Sequence, residues 1–180
     1  MSGRHAQRRA IGTVERHDMN SSDPAAIVEE RRRRLGRVVV ELGCGETKSD
    51  PDSIGIDLRD LPGVDIVDDA YAALAAIPEG SVDLIDSSHF CEHVPDLRAL
   101  LAASARVLVR GGTFRCTVPH FSNPFYYSDP THRQPFGLYT FNYLVESSFT
   151  RRDVPHYDNP LPFRLVDARY GFKSYRPHYV

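Results

Sequence analysis

Apolar residues fall along this chain in short continuous runs, set apart by glycine- and proline-bearing turns and by helix-spaced stretches. Residues 37–42 form the first run, RVVVEL. A continuous β-branched run of this length predicts a strand buried on both faces, as in a parallel sheet. Residues 53–57, 65–68, 82–86 and 113–118 predict four further strands. Ahead of the first strand, Ser22 or Asp23 can cap a helix that Pro24 opens and Gly36 stops. Residues 71–76 predict a short helix. Over residues 95–108, Leu97, Leu100, Leu101, Ala105 and Leu108 recur near one helical face. Alternating strand and helix predicts an α/β fold, a three-layer sandwich with a mostly parallel sheet.

Three stretches depart from this alternation. Residues 46–53, ETKSDPDS, have no helical period and contain a proline. Parallel strands usually need a crossover of about a dozen residues. Eight extended residues still reach up to ~28 Å, longer than a strand of ~17–20 Å, so a loop or a single turn suffices. Residues 119–143 combine prolines, aromatics and two histidines in a long connection after the fifth strand. That segment reads either as an aromatic cluster packed under the sheet or as a substrate-covering loop. Thr140 is placed to cap a helix running through Ser147. The tail alternates like a strand from Phe163 to Tyr170.

Length and composition limit the alternatives. The 180 residues fit one domain with a sizeable core, expected over 21–180 after a mobile segment at 1–20. No apolar stretch approaches the ~20 residues of a membrane span. The arginine-rich N-terminus lacks the apolar core of a secretory signal. Three scattered cysteines argue against a disulfide framework and for a reducing, cytoplasmic setting. A net charge of −2 gives no footprint for nucleic acid or a membrane surface. The run Arg31 to Arg34 projects around a whole helical cylinder and reads as a solvated helix end.

The chemistry concentrates where the first two strands end. Gly43 and Gly45 permit a sharp turn and let a ligand approach main-chain N–H groups. Asp57, closing the second strand, can accept both hydroxyls of a ribose. Together they describe a nucleoside site. Asp57, Asp69, Ser87, Ser88, His89 and His120 all fall at the carboxyl ends of predicted strands, where such sheets bind ligands.

The wider pattern resembles the class I S-adenosylmethionine-dependent methyltransferases. Glu41-Leu-Gly-Cys-Gly45 is similar to that family's first motif and Gly55-Ile-Asp57 to its second. Residues 67–70 resemble the third, residues 82–93 the fourth and residues 106–112 the fifth. The blocks stand in the family's order over roughly residues 38 to 120. The resemblance implies a Rossmann-like methyltransferase sheet closed by an antiparallel hairpin. It also implies S-adenosyl-L-methionine as cofactor, with Asp57 on the ribose and Asp69, beside Ala70, on the adenine. Gly43, Cys44 and Gly45 would lie against methionine and ribose with Glu41 beneath, while Ser87, Ser88 and His89 border the methionine end. The expected acceptor is a small molecule, a sugar or a natural-product intermediate. The chain looks short for the family, so a sheet edge can be left for a second copy, a homo-oligomer.

Other chemistries compete for the same residues. A nicotinamide site would want a third glycine and a following helix, and residues 46–48 offer neither. His89-Phe-Cys-Glu-His93 matches an inverse zinc-protease signature, but it starts at a strand end rather than within a helix. No metal is therefore expected. A non-catalytic nucleoside-binding partner subunit is the remaining alternative. His120 and His132 are the candidates for the group that takes the acceptor's proton. Both read equally as anchors of the loop.

Overall fold

The computed structural model describes residues 23–147 and 152–171. The expected mobile segment at 1–20 and the tail beyond residue 171 lie outside the described residues. Helix α1 spans Pro24–Leu35. Asp23 caps it by accepting from Ala25 N at 3.1 Å, and Gly36, at φ 71°, ends it by donating to Arg32 O at 2.9 Å. Strands β1 (Val39–Leu42), β2 (Ile54–Asp57) and β3 (Ile66–Val67) follow, then helix α2 (Ala70–Ala76) and strand β4 (Val82–Ser88). Helix α3 (Leu97–Val107) leads directly into β5 (Leu108–Thr117).

These five strands form one parallel sheet in the order β3-β2-β1-β4-β5. Val40 at its centre pairs with Ile54 on one side and Ile85 on the other, and all three are fully buried. The chain moves one way from β1 to β3, then jumps back across to β4. Such a reversal opens a crevice at the strands' carboxyl ends. An α/β fold with a mostly parallel sheet and flanking helices is thus borne out. The crossovers to β4 and β5 carry α2 and α3, which pack on each other. Those to β2 and β3 carry no helix, as the polar residues 46–53 anticipate. Among the described residues, no helix is long and apolar enough to cross a membrane.

The C-terminal third departs from expectation. Residues 140–147 do not form a helix. A 3₁₀ turn, Phe141–Tyr143, runs into strand β6 (Val145–Ser147), which pairs in parallel with β7 (Leu161–Leu165). Thr140 spends its hydroxyl on Gly137 N at 2.9 Å, closing the preceding turn instead of capping a helix. Val145 is buried, so the segment extends to place it in the core. Among the described residues the expected antiparallel hairpin is likewise replaced. β6 and β7 form a separate pair docked on α3, with Phe163 against Phe114 at 6.3 Å between ring centroids. β5 therefore ends the main sheet among the described residues.

The arginine run is a solvated helix end only in part, because Arg31 is buried while Arg33 and Arg34 are exposed. Arg31 is 8% exposed. Its guanidinium donates to Asp52 O, to Ser53 O at 2.8 Å and to Asp65 Oδ1 at 3.3 Å. Arg32 reaches Gly36 O, Ser81 O and Asp83, and Arg34 reaches Glu30 and Asp52. Burial of one arginine in four does not show in helical periodicity, because its partners are backbone carbonyls of a distant loop. Arg31→Ala should lower unfolding stability by about 2–4 kcal/mol, since it strands buried acceptors and Asp65. Arg33→Ala, on the exposed side of the same helix, should stay within about 0.5 kcal/mol of the parent. Urea unfolding of the two variants checks both values.

Candidate functional site

The turn after β1 is built on two glycines in the left-handed region, Gly43 at φ 65° and Gly45 at φ 60°. Gly43 N and Cys44 N both donate to Ile56 O, at 2.8 and 3.3 Å, which zips the turn onto β2. Gly45 N donates to Asp57 Oδ2 at 3.0 Å, and Arg59 N to Asp57 Oδ1 at 3.0 Å. Each carboxylate oxygen keeps a lone pair for a further donor. The two glycines face different surroundings. A Cβ on Gly43 would lie 2.6 Å from the ring of Phe90, whereas one on Gly45 would meet nothing within 4 Å. An approach to the backbone is open at Gly45 and covered at Gly43.

Glu41 is buried and faces the loop below. It accepts from Ser49 N at 2.9 Å and from Asp50 N and Ser53 Oγ at 2.8 Å each. Its carboxylate is therefore spent on the 46–53 crossover. Cys44 lies between Gly45 O and Gly63 O. Burial, then the negative charge of Asp57 and Glu41, push its thiol up to about 11. Asp69 caps α2, accepting from Tyr71 N at 2.9 Å and Ala72 N at 3.4 Å, while remaining exposed; Ala70 beside it is buried.

One residue of this edge escaped the sequence reading. Leu58, directly after Asp57, is 71% exposed. A large apolar side chain beside a candidate ribose acceptor offers a face for a planar base. Its signal in the sequence is an apolar residue set between the strand-two acid and Arg59-Asp60.

At the end of β4, Ser87 is buried with Oγ 3.2 Å from Cys91 Sγ, and Ser88 is exposed. His89 has φ 54°, unusual outside glycine. Its N–H donates to Thr117 O at 2.9 Å, which holds the turn against β5. Its ring reaches Glu92 Oε1 at 3.3 Å.

The two candidate histidines are not brought together. His120 follows β5 and packs on Phe121 and Tyr170. It lines an open cleft of about 820 Å³ with Arg98, Leu138, Tyr139 and Tyr143 among its walls. Ser122 N donates to His120 Nδ1 at 3.3 Å, and Ser122 Oγ lies 2.7 Å from the same nitrogen. Nδ1 therefore accepts and Nε2 carries the ring proton. His132 packs instead on Tyr126 and His93, away from that cleft. Neither the glycine turn nor Asp57 lines the cleft.

Residues 47–116, from the crossover through most of β5, match the family model described as a methyltransferase domain. That segment is thus similar to a methyltransferase domain, and it covers β2 to most of β5 of the parallel sheet. Among solved structures it is similar to a SAM dependent methyltransferase from Archaeoglobus fulgidus, at 22% identity and TM-score 0.48, covering 67% of this chain and 66% of that one. It is also similar to an S-adenosylmethionine dependent methyltransferase from Mesorhizobium loti, at 24% identity and TM-score 0.38, covering 51% and 52%. A third is the sugar N-methyltransferase KedS8 from a Streptoalloteichus species, at 17% identity and TM-score 0.37, covering 69% and 61%. The chain thus spans between about half and two thirds of these structures' lengths. No curated protein matches it.

In this chain the glycine turn depends on the crossover beneath it. Glu41→Gln keeps the side chain's size but sets an amide N–H₂ against the donors of one carboxylate oxygen, Ser49 N on Oε2 or Asp50 N and Ser53 Oγ on Oε1. It should cost about 1–3 kcal/mol of unfolding stability by urea titration. The Cys44 thiol should resist alkylation near neutral pH and react appreciably only as pH approaches about 11. Mass mapping of iodoacetamide adducts against pH checks this.

Proposed function

We propose that the chain transfers a methyl group from S-adenosyl-L-methionine to a small-molecule acceptor. The observation that carries this reading is the open face at Gly45, set against Asp57 at the point where the sheet's strand order reverses. The residues present fit the nucleoside half of the cofactor. Asp57 has lone pairs left for two ribose hydroxyls, exposed Leu58 offers a face for adenine, and Asp69 keeps a carboxylate oxygen for its amino group. Ser88 and the backbone around His89 border the space left for the methionine end. When bound, the cofactor supplies the reactive sulfonium-borne methyl. The chain's task is then to hold the acceptor in line and exclude water.

The cleft beside His120 is the proposed acceptor site. Its volume falls within the ~300–1,000 Å³ typical of small-molecule pockets. Tyrosines and Arg98 in its wall suit a polar, ring-bearing acceptor such as a sugar or a natural-product intermediate. With Nδ1 engaged by Ser122, His120 offers Nε2–H to the acceptor as a positioning donor. A base role at Nε2 would require the other tautomer. His132 is a loop anchor in this reading, because its Nδ1 is committed to Tyr126 O at 2.8 Å. A cytoplasmic, biosynthetic setting accords with the free Cys44, Cys91 and Cys116. Among the described residues β5 is the outer strand of the main sheet, and a second copy would add there.

Phe90, packed on Gly43, favours one second reading: a nucleoside-binding partner subunit without catalysis. That protein would bind S-adenosylhomocysteine yet methylate no acceptor.

Calorimetry with S-adenosylhomocysteine tests the cofactor assignment. Asp57→Asn should weaken binding by about tenfold or more, because charge-assisted bonds to ribose are worth ~1.5–3 kcal/mol each. Unchanged affinity, or tight NADH binding in its place, would remove the claim. With an acceptor identified by mass spectrometry, His120→Ala should lower kcat by roughly 10²-fold or more while leaving cofactor affinity unchanged. His120→Gln, which returns a donor near Nε2, should recover part of that loss. No recovery would instead assign His120 to proton removal.

A further inference from the structure

We propose that Glu92, His93 and His132 form a binding site for one divalent first-row metal ion, with zinc the foremost candidate. One ligand atom from each of the three lies within 4.8 Å of the others. Glu92 is 1% exposed, and its Oε2 has no hydrogen-bond partner. A buried carboxylate oxygen without a partner is costly unless a cation meets it. Its other oxygen, Oε1, faces His89 Nδ1 at 3.3 Å, which orients the carboxylate.

The hydrogen bonds around the two histidines fix their protons. Thr131 Oγ1 lies 2.6 Å from Asp129 Oδ1 and donates its one proton there. Toward His93 Nδ1, 2.9 Å away, it can then only accept, so His93 carries its proton on Nδ1. His132 Nδ1 lies 2.8 Å from Tyr126 O, a carbonyl that only accepts, so His132 is also protonated on Nδ1. In the neutral rings both Nε2 atoms present lone pairs, and Asp129 Oδ2 lies 3.8 Å from that of His132. Hydrogen bonding of the far ring nitrogen to a carbonyl or hydroxyl is how metal-ligating histidines are held.

Two neutral imidazoles and a carboxylate are a nitrogen and oxygen set suited to zinc or a neighbouring first-row ion, with a further coordination position open. Ligands at ~2.0–2.1 Å from zinc lie roughly 3.3–3.4 Å apart. Capture therefore draws the side chains inward by about an ångström. The sequence expectation of no metal paired His89 with His93. The structure separates those two and brings His132 in from the loop after β5. The same turn holds that loop through its backbone, since Arg133 N and Gln134 N donate to Glu92 O at 2.7 and 3.0 Å. A bound ion would staple the loop to the end of β4, one wall of the proposed methyl-transfer site.

The test is zinc chloride titrated by calorimetry into the full chain after chelator treatment, in the absence of any methyl donor. One equivalent should bind and raise the melting temperature. Glu92→Gln and His132→Ala, each shown folded by circular dichroism, should weaken binding at least about tenfold. His156→Gln, a histidine bonded elsewhere to Asn142 O, should not. Cobalt(II) in place of zinc should give a spectrum without thiolate charge-transfer bands. Absence of binding to the folded parent, affinity unchanged in both variants, or thiolate bands would each overturn the site. The titration is independent of S-adenosylhomocysteine binding, so either proposal can fail alone.

Discussion

The Glu41 carboxylate is the interaction on which the rest of the candidate site depends. In a parallel sheet, a crossover helix satisfies its own backbone and covers a sheet face. The β1–β2 connection has no such helix. Its backbone donors must be satisfied from elsewhere, and an unpaired buried donor costs about 1–3 kcal/mol. Glu41 takes Ser49 N, Asp50 N and the Ser53 hydroxyl at once. Arg31 takes the carbonyls of Asp52 and Ser53, and Lys48 Nζ takes Ser53 O and Asp65 Oδ2 at 2.8 Å each. Asp65 closes the arrangement by accepting Gly55 N at 2.8 Å. A polar cluster thus replaces a helix and fixes the register of β2. That register sets Asp57 against Gly45.

A comparable economy operates at the end of β4. The turn after Ser88 passes through a left-handed histidine, buries Cys91 and Glu92, and lays Phe90 on Gly43. The same turn binds the main chain of residues 133 and 134. Two sides of the candidate site therefore share one support. A change at Glu92 would move both the cover on the glycine turn and the loop beside the cleft.

Much of this was legible in the sequence, for stated reasons. The β-branched runs gave the five strands, because burial on both faces leaves no polar alternation to misread. Asp23, Pro24 and Gly36 marked α1, and Asp69 capped α2 at the place where an adenine contact was expected. The misreadings share a cause: long-range partners override a local pattern. Arg31 reads as solvent-facing from the sequence because its acceptors are carbonyls more than twenty residues away. Residues 140–147 looked helical until Val145 had to reach the core beside Leu161. The Glu92, His93 and His132 cluster joins a strand-end turn to a distant loop. Spacing alone could not reveal it, and the local H-x-x-E-H pattern pointed to the wrong histidine.

The two halves of the candidate site differ in how firmly they are held. On the nucleoside side, four backbone N–H groups are tied: those of Gly43 and Cys44 to β2, those of Gly45 and Arg59 to Asp57. That side is preformed, and a ligand there loses little to ordering the protein. On the acceptor side, the loop after β5 is pinned at a few points. Phe121 N donates to Phe136 O at 2.7 Å, Phe136 and Tyr126 are buried, and residues 133–134 hang from Glu92. Between those pins Phe121, Phe125, Tyr127 and Leu138 stay exposed. Exposed aromatics on a loop with fixed ends can reorient around a bound molecule at small cost, because few buried contacts are broken. A fixed cradle and an adaptable loop suit the proposed reading, in which one invariant ligand is held on preformed groups and an acceptor of variable shape on mobile ones.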